Sequence, residues 1–411
     1  MNGKTVLEGI IIHRLLSFGD TIVYSDKPLP GNRIKLEPLN VIIGPNGSGK
    51  SNFIEILRLV RYLPRDFQEF LRESGGKDTW LYNGEVGKDG FKAPPLLGLF
   101  LKDIEEEYFT NFETFPFLSH KDSVSPRFCE TFYKSEEDLF SKIITEIEFF
   151  NEQSIEKTRG ILYFSGKDTD DKSLHSLSTM LSRKPPAIYG NDGFHYSENL
   201  FDINTRSYLA KKIYSDQDED KDLATIAKKY DSFRFYTGFD MRKNGPLREA
   251  QKADLPGTYL MEDGSNLAIV LNNLKIRHTD YYKKIIENLR EFYPPAKKLD
   301  IGVRDGRVQL FLGEGNLKNP TPGVRLSDGT LNFLCLLAVL CHPEPPPLVC
   351  FEEPEKHLHP DIFPLLADLM KDASQRTQIV VTTHSVDFVS QFTDEPEAVL
   401  VCEGGDNGTE M

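Results

Sequence analysis

The sequence predicts an α/β fold with a mixed sheet that contains buried parallel strands, and three observations lead to this prediction. An apolar run from Leu39 to Ile43 ends in a glycine-rich turn and is followed by a helical pattern. Two later apolar runs, 348–351 and 378–383, each precede another helical pattern. Strands that alternate with helices along the chain are typical of parallel strands in an α/β fold.

The first predicted elements are a strand, a turn and a helix. Residues 10–12 are three consecutive isoleucines and predict a strand ahead of the run that ends at Ile43. The helix after the glycine-rich turn has its apolar residues at the i, i+3, i+4, i+7 spacing of one buried face. These residues are Phe53, Ile54, Leu57 and Val60.

The middle of the chain, residues 103–230, differs from the parts on either side of it. It contains acidic and aromatic runs and a polar, acidic stretch at 215–222. Short strand or helix candidates occur at 143–150 and 160–165, but no heptad pattern is long enough for a coiled-coil arm. We therefore predict an inserted α+β lobe at 103–230, within a single domain formed by residues 1–102 and 231–411.

Regular patterns return after residue 232. A helical stretch covers about 266–293, and two short strands at 299–303 and 307–312 flank an Asp305-Gly306 turn. An Asp-Gly pair between two apolar runs is a strong signal for a β-hairpin.

Length and composition describe an ordinary globular protein. The 411 residues, of which 39% are hydrophobic, are enough for one large domain or two modest ones. No run approaches the roughly 20 apolar residues that span a bilayer, and the N-terminus lacks a secretory signal, so we expect a cytoplasmic protein without a membrane partner. The net charge of −14 argues against a wholly basic surface, although a local basic groove for DNA is compatible with it.

The cysteines contain no CxxC pair, and three of them lie in apolar runs. This pattern indicates reduced thiols with a structural role. The five residues are Cys129, Cys335, Cys341, Cys350 and Cys402.

The glycine-rich turn matches the pattern GxxxxGK[ST], in the strand-to-helix context that this pattern requires. Its residues are Gly44, Pro45, Asn46, Gly47, Ser48, Gly49, Lys50 and Ser51, followed by Asn52. Glycines allow the backbone to wrap a phosphate, and the helix N-terminus adds partial positive charge. Lys50 is suited to neutralise β- and γ-phosphates and Ser51 to bind Mg²⁺. The alternative is a glycine-rich turn with a solvated lysine.

Two carboxylates, Glu352 and Glu353, follow the strand at 348–351. Open α/β sheets bind ligands at this end of their strands. The first carboxylate would hold Mg²⁺ through water, and the second would polarise an attacking water. A plain solvated strand end is the alternative.

Two further candidates lie at helix starts. His384 follows the strand at 378–383, where a neutral imidazole could hydrogen-bond a γ-phosphate, or simply mark a helix boundary. Ser327 precedes an apolar helical run at 331–340, and it can cap that helix, whose exposed N–H groups could grip an anion. An N-cap without a ligand is the alternative for Ser327.

The four motifs together, GPNGSGKS, LSDGT, FEEPEKHLHP and TTHS, resemble those of ABC-type ATPases. They are similar, in this order, to the Walker A, signature, Walker B with D-loop, and switch-histidine motifs. Within that group the chain resembles the RecF/SMC branch, and specifically the stand-alone AAA_21-type ATPases. The resemblance covers about 1–102 and 231–411 and implies a P-loop NTPase fold of the ABC-head type, with ATP and Mg²⁺ as cofactors.

The resemblance also implies roles for individual residues. Lys50 and Ser51 would contact phosphate and Mg²⁺, while Glu353 would activate water and His384 would act as the switch. A second set, Ser327 and Gly329, would contact the γ-phosphate of the nucleotide held by the other protomer of a homodimer.

Two positions depart from the ABC pattern at large. Glu352 stands where an aspartate is usual, and Asp328 replaces the second residue of LSGGQ.

The function that the resemblance implies is ATP hydrolysis by a nucleotide-sandwich dimer. It would serve DNA maintenance or defence against foreign DNA, together with a partner effector such as a nuclease. A non-hydrolysing, nucleotide-gated scaffold is the first alternative, because Glu352 changes the reach to Mg²⁺. A nuclease in cis is the second: the tail 399–406 resembles the opening of a TOPRIM domain with Glu403 as its first ligand, but no later strand follows to complete the site. The long insertion argues against a transporter subunit.

Overall fold

The computed structural model describes part of the chain, and all structural statements refer to that part. The described residues are 5–13, 15–19, 34–62, 64–65, 70, 72–75, 77–80, 82, 96–101, 108–113, 128–135, 140–147, 227–315, 317–405 and 408–411. The candidate element at 160–165 and the acidic stretch at 215–222 lie outside them. The chain divides into two compact units. Unit 1 comprises Met1–Thr5, Glu37–Ile54 and Ser232–Cys402, and unit 2 comprises Val6–Leu36, Glu55–Asp231 and Glu403–Met411.

The strands and helices, numbered along the chain, have the following bounds. The strands are β1 (Leu7–His13), β2 (Ile34–Lys35), β3 (Leu39–Ile43), β4 (Leu96–Leu101), β5 (Tyr108–Glu113), β6 (Phe128–Ser135), β7 (Phe140–Ile147), β8 (Arg234–Tyr236), β9 (Gln251–Lys252), β10 (Ala296–Arg304), β11 (Arg307–Glu314), β12 (Thr321–Pro322), β13 (Leu348–Glu352), β14 (Gln378–Thr383), β15 (Val399–Val401), β16 (Glu403–Gly405) and β17 (Gly408–Glu410). The helices are α1 (Lys50–Tyr62), α2 (Lys77–Trp80), α3 (Leu267–Arg277), α4 (Thr279–Phe292), α5 (Asp328–Leu340), α6 (Phe363–Ser374) and α7 (Val386–Val389).

Unit 1 is organised around a five-stranded sheet in the order β15-β3-β14-β13-β8. Every neighbouring pair in this sheet is parallel. The three strands at its centre are almost continuously buried, because helices connect parallel strands and cover both faces of such a sheet. The predicted parallel strands at 39–43, 348–351 and 378–383 are confirmed.

Helix α5 is the most deeply buried helix segment of unit 1 among the described residues. All of its residues from Thr330 to Leu340 are buried, so it has no solvent-facing side beyond its first turn. A helix that is apolar all round belongs in a core. Its ring contacts include a stack of Phe333 on Phe292 of α4 with centroids 4.4 Å apart.

The predicted helical stretch at 266–293 forms two helices rather than one. The break is His278, whose φ of −135° and ψ of 58° are not helical. His278 ends α3 by donating its N–H to the Leu274 carbonyl, and it precedes α4 as the residue at its N-cap. Periodicity alone did not reveal this break, because both helices keep apolar residues at helical spacing.

A second sheet of unit 1 is antiparallel, with the order β10-β11-β12 and with β9 paired to β11. The predicted hairpin is confirmed as β10 and β11, and Arg304 pairs with Arg307 across its turn. Asp305 and Gly306 both have positive φ, 51° and 71°. A two-residue turn of this kind requires such angles at both positions, which explains the Asp-Gly pair.

Unit 2 contains a six-stranded antiparallel sheet in the order β2-β1-β4-β5-β6-β7 and a small hairpin of β16 and β17. The predicted strand at 10–12 lies in β1, and the candidate at 143–150 overlaps β7. The sheet includes strands from both sides of residue 102, and the domain boundary set there from the sequence stays a prediction. In the described part of the chain, no helix combines the length and the apolar character needed to cross a lipid bilayer.

Candidate functional site

The central sheet brings three of the sequence motifs to one edge. Its register pairs Ile43 with Thr383 and Glu352 with Thr382, so the carboxyl ends of β3, β14 and β13 are level. The glycine-rich loop follows the first of these strands, His384 the second and Glu353 the third. This is the edge at which open α/β sheets bind ligands.

The glycine-rich loop has the backbone geometry of a phosphate cradle. Gly47 and Gly49 adopt positive φ angles of 79° and 110°, a conformation that favours glycine. A Cβ at Gly47 would face open space, while a Cβ at Gly44 would lie 2.0 Å from the Cys402 carbonyl oxygen. The loop is thus packed at Gly44 and open at Gly47, and it directly precedes the N-terminus of α1, a position that favours an anionic ligand.

Lys50 is 5% exposed and folds back onto this loop. Its Nζ donates hydrogen bonds to the carbonyls of Gly44 and Pro45, both at 2.8 Å. Desolvation lowers the pKa of Lys50, while the nearby Cys402 and Glu353 act in the opposite direction. A partly desolvated ammonium group that has only carbonyl partners in the loop gains a stronger partner when a phosphate enters.

Glu353 is held in place by both its backbone and its side chain. Its φ is 47°, a left-handed conformation that costs about 1–3 kcal/mol in a residue other than glycine. Its N–H donates to the Thr382 carbonyl at 2.8 Å. Its Oε2 lies 2.6 Å from Nζ of Lys356, and its Oε1 lies 3.5 Å from Nε2 of His384. The carboxylate therefore stands beside the imidazole at the edge of the sheet.

His384 lies in a turn that side chains stabilise on both sides. The hydroxyl of Thr383 accepts a hydrogen bond from the N–H of Ser385 at 2.9 Å. The hydroxyl of Ser385 in turn caps α7 by accepting from the N–H of Phe388 at 3.1 Å. The backbone at His384 is thereby held between the end of β14 and the start of α7.

Ser327 is the N-cap of α5, as the sequence predicts. Its hydroxyl accepts from the N–H of Thr330 at 3.1 Å, and its side chain is exposed at the helix start. Gly329 packs tightly, because a Cβ there would lie 2.8 Å from the His357 carbonyl oxygen. Asn332, one turn later, donates to the carbonyls of Pro354 and Lys356 at 3.2 and 2.7 Å. The start of α5 is therefore fixed against the turn that follows Glu353.

Asp328, which departs from the ABC pattern, has a structural partner in Arg248. The Arg248 guanidinium is buried and donates to the Asp328 carboxylate, to the Leu326 carbonyl at 2.6 Å and to the Met241 carbonyl at 3.2 Å. Because Leu326 and Asp328 flank Ser327, the guanidinium holds the backbone on both sides of this serine. The pair of Asp328 and Arg248 therefore anchors the LSDGT segment, which explains the aspartate at this position.

We expect Arg248→Met to destabilise the protein by about 2 kcal/mol, since it leaves the buried Leu326 carbonyl without its donor. In a chain of this size that corresponds to a fall in Tm of about 2 °C. Thermal unfolding without nucleotide measures the effect. Arg242→Met is the matched control, because Arg242 forms an exposed ion pair with Asp240 and we expect no change in Tm. Equal shifts in the two variants would contradict the anchoring role.

Ser51 and Glu352 are the residues proposed to bind Mg²⁺. Ser51 is the second residue of α1, and Glu352 is the last residue of β13. Glu352 is partly buried and Ser51 is exposed. Among the described residues there is no group of three or more His, Cys, Asp or Glu side chains placed to hold a metal. Mg²⁺ at nucleotide sites is commonly held by one or two protein groups together with phosphates and water, and such a set does not require a larger cluster.

Several contributors to the site were not identified from the sequence. Arg248 is 80 residues from its partner Asp328, so no local pattern connects them. Cys402, whose Sγ donates to the Ser48 carbonyl at 3.3 Å, is expected from the sequence only as a reduced structural thiol, without a link to the loop. Glu355 and Thr383 lie inside the FEEPEKHLHP and TTHS motifs, but the sequence alone indicates no role for either. For Glu355 there was a signal, an acidic residue in a tight turn after the strand.

The tail belongs in part to the central sheet. Val399–Val401 forms β15, which pairs with β3 in parallel, and Glu403 begins the β16–β17 hairpin. Asp406 lies outside the described residues. The described cysteines, Cys335, Cys341, Cys350 and Cys402, are free and buried, as expected.

Comparisons with known proteins agree with the motifs. Residues 39–390 match the family model AAA_21, described as "AAA domain, putative AbiEii toxin, Type IV TA system". No curated protein matches the chain.

Solved structures that resemble the chain include heads of SMC proteins. An SMC head bound to the C-terminal winged-helix domain of ScpA has a TM-score of 0.49 at 13% identity, with 99% of this chain and 97% of that chain covered. The SMC head domain from Thermotoga maritima has a TM-score of 0.43 at 12% identity, with 98% and 97% covered. An SMC head with an extended coiled coil, bound to the C-terminal domain of ScpA derived from Pyrococcus furiosus, has a TM-score of 0.42 at 14% identity, with 98% and 95% covered.

Proposed function

The chain belongs to the AAA_21 family of P-loop ATPases, and from that premise we propose that it hydrolyses ATP as a nucleotide-sandwich dimer. The observation that carries the proposal is the common edge of the central sheet. There the phosphate loop, Glu353 and His384 follow three adjacent parallel strands with level ends. A cation for phosphates, a carboxylate for water and an imidazole for the γ-phosphate are the groups that ATP hydrolysis requires.

Each group at this edge has a separate task in the proposal. Lys50 leaves the loop carbonyls to contact the β- and γ-phosphates, and the N–H groups of the loop bind the same oxygens. Glu353 orients the attacking water and accepts its proton, while His384 hydrogen-bonds the γ-phosphate. Ser51 and Glu352 would hold Mg²⁺, which neutralises phosphate charge when it is bound.

The dimer completes the site by adding the start of α5 from the second protomer. Ser327 is exposed at that start, with Gly329 packed behind it against the His357 carbonyl. The N-terminus of a helix with free N–H groups binds anions. We propose that this helix start meets the γ-phosphate of the partner's nucleotide, so that a two-fold symmetric dimer contains two composite sites.

Mixing two inactive variants tests the composite site. In Lys50→Ala and Ser327→Arg homodimers both sites carry a lesion. In a mixed dimer one site carries both lesions, and the other combines the intact Lys50 of one chain with the intact Ser327 of the other. If chains exchange at random, about half of the dimers are mixed, so we expect mixing to restore roughly a quarter of the wild-type ATPase rate.

The steady-state ATPase rate is measured after the two variants have exchanged chains, and native mass spectrometry reports the fraction of mixed dimers. Mixed dimers without activity above that of either parent would contradict two independently acting composite sites. Trapping of one nucleotide per mixed dimer would then separate a cooperative pair of sites from a site built within one chain. A wild-type protein that binds ATP but does not turn it over would favour the nucleotide-gated scaffold instead.

The domain organisation and the biological partner belong to the same proposal. Residues 1–102 and 231–411 would form the ATPase domain, and 103–230 an inserted lobe that responds to the nucleotide state. The family description names a toxin of a toxin–antitoxin system, which agrees with a role in defence alongside a partner effector such as a nuclease, with DNA as a further partner. Comparison of the proteins and DNA that co-purify with the ATP-bound and nucleotide-free forms tests this part.

A further inference from the structure

Glu355 carries a carboxylate at the sheet edge that has no role in the ATP hydrolysis proposed above. It lies two residues after Glu353, in the turn that leaves β13. Its Oε1 accepts a hydrogen bond from the Thr383 hydroxyl. Its Oε2 is buried and has no hydrogen-bond partner within the described structure. A buried carboxylate oxygen without a partner is costly and rare, which marks Glu355 as a candidate for a functional role.

The hydrogen bond between Thr383 and Glu355 has a fixed direction. The Thr383 hydroxyl already accepts from the N–H of Ser385. It has one proton, and the carboxylate offers an acceptor, so the hydroxyl donates that proton to Glu355. Burial raises the pKa of the Glu355 carboxyl, and the hydrogen bond from Thr383 partly opposes this shift. Two hydrogen bonds in series therefore connect the Ser385 N–H, the Thr383 hydroxyl and the Glu355 carboxylate.

The two hydrogen bonds lie on either side of His384, because Thr383 and Ser385 are its neighbours in sequence. The segment that carries His384 is therefore tied twice to the segment that carries Glu353. One tie is the backbone hydrogen bond from Glu353 to the Thr382 carbonyl, and the other is the side-chain bond to Glu355. Glu353 has a positive φ, so its backbone is held by surrounding contacts rather than by its own preference.

We propose that Glu355 is a positioning residue of the hydrolytic centre, which acts through Thr383 to set the distance between His384 and Glu353. The inference rests on the proposed ATPase function. Glu355 does not touch the nucleotide in this role. Its carboxylate holds the turn after β14 against the turn after β13, so the imidazole and the catalytic carboxylate keep one geometry.

Kinetics of four single variants and one double variant at the two positions test this role. Glu355→Ala and Thr383→Val remove one end of the bond each, and we expect kcat to fall about 10- to 100-fold, as misplacement of a catalytic group by about 1 Å does. KM for ATP should stay within about twofold, since Lys50 and the phosphate loop are untouched. The double variant should lose no more than the worse single variant, because both changes break the same bond. Glu355→Gln and Thr383→Ser keep the acceptor and the donor, and they should recover most of the rate.

Thr377→Val is the matched control. Thr377 lies immediately before β14, at the opposite end of the strand from His384. Its buried hydroxyl donates to the Pro346 carbonyl at 2.5 Å. This variant also loses the hydrogen bond of a threonine hydroxyl, here to a buried backbone carbonyl, so its Tm should fall while its kcat stays at the wild-type value. A fall in kcat equal to that of Thr383→Val would overturn the positioning role in favour of a general effect on stability.

A second measurement does not depend on hydrolysis. The ring signals of His384 in nucleotide-free protein with labelled histidine, assigned with the His384→Ala variant, report its surroundings directly. We expect Glu355→Ala and Thr383→Val to shift these signals and Thr377→Val to leave them in place. Unchanged His384 signals in both variants would overturn the inference even if the ATPase activity is confirmed. A wild-type protein without ATPase activity would contradict the proposed function. The His384 signals would still show whether Glu355 and Thr383 position the imidazole.

Discussion

Replacement of Lys50 by alanine should weaken ATP binding by at least about 100-fold, because it removes two charge-assisted hydrogen bonds to phosphate worth about 1.5–3 kcal/mol each. In the nucleotide-free protein the same amine donates hydrogen bonds to the Gly44 and Pro45 carbonyls. Phosphate oxygens would replace these two carbonyls as its acceptors. Titration with a fluorescent ATP analogue, or calorimetry with ATP, measures the loss.

The stability of this variant serves as its folding control. The pKa of Lys50 is lowered in the folded protein, so the charged form is less favourable there than in the unfolded chain. Because the folded pKa lies below the unfolded one, stability rises as pH increases toward these values, and the charge of Lys50 is no source of stability at neutral pH. Lys50→Ala should therefore lose only its two hydrogen bonds to the loop carbonyls, and its Tm should fall by no more than about 2–3 °C. Lys283→Ala, which removes an exposed lysine paired with Asp280, should keep both Tm and ATP affinity. ATP affinity in Lys50→Ala equal to that of Lys283→Ala would rule out the phosphate-binding role.

Glu353→Gln should lower kcat by about 100- to 10,000-fold, the usual contribution of a general base, without loss of ATP affinity. Glutamine has the same shape and keeps a hydrogen-bond acceptor near His384, but it cannot take a proton from water. ATP should therefore persist in the site and hold two protomers together. Single-turnover hydrolysis, ATP titration and size-exclusion chromatography with light scattering measure the three parts of this expectation.

Glu397→Gln is the control for the loss of one negative charge. Glu397 is exposed in a turn ahead of β15, and its amide should leave kcat unchanged. A Glu353→Gln protein that turns ATP over at a rate near that of Glu397→Gln would remove Glu353 from the catalytic role. Loss of ATP binding with normal stability would assign it to binding instead.

The parts of the site that the sequence predicts are those with local signals. The strand, loop and helix around Lys50 follow from apolar periodicity and from glycines at positions that need positive φ, and both are visible in a short window. The cap at Ser327 is similarly local, since a serine before an apolar helical run satisfies the first N–H groups of that helix. The parallel arrangement of the three strands follows from their uniform apolar character.

The parts that the sequence does not predict depend on partners far along the chain. Arg248 becomes an anchor only because the fold places it against Leu326 and Asp328, and Glu355 contacts Thr383 only because β14 lies next to β13. The pairing of β15 with β3 is of the same kind. The break at His278 is local, but helical periodicity continues across it, and a single residue with non-helical angles leaves no compositional mark.

The position of β3 between β14 and β15 has a consequence for biosynthesis. Asn40 in β3 and Ile379 in β14, which are hydrogen-bonded, are 339 positions apart in sequence. At ribosomal rates of about 5–20 residues per second, β3 is synthesised about 20 to 70 s before its neighbour exists. During that interval the backbone N–H and C=O groups along both of its edges have no partner in the sheet, and the Cys402 carbonyl that packs against Gly44 has not been made. The glycine-rich loop can therefore reach its packing against Cys402 only once synthesis has passed β14 and β15.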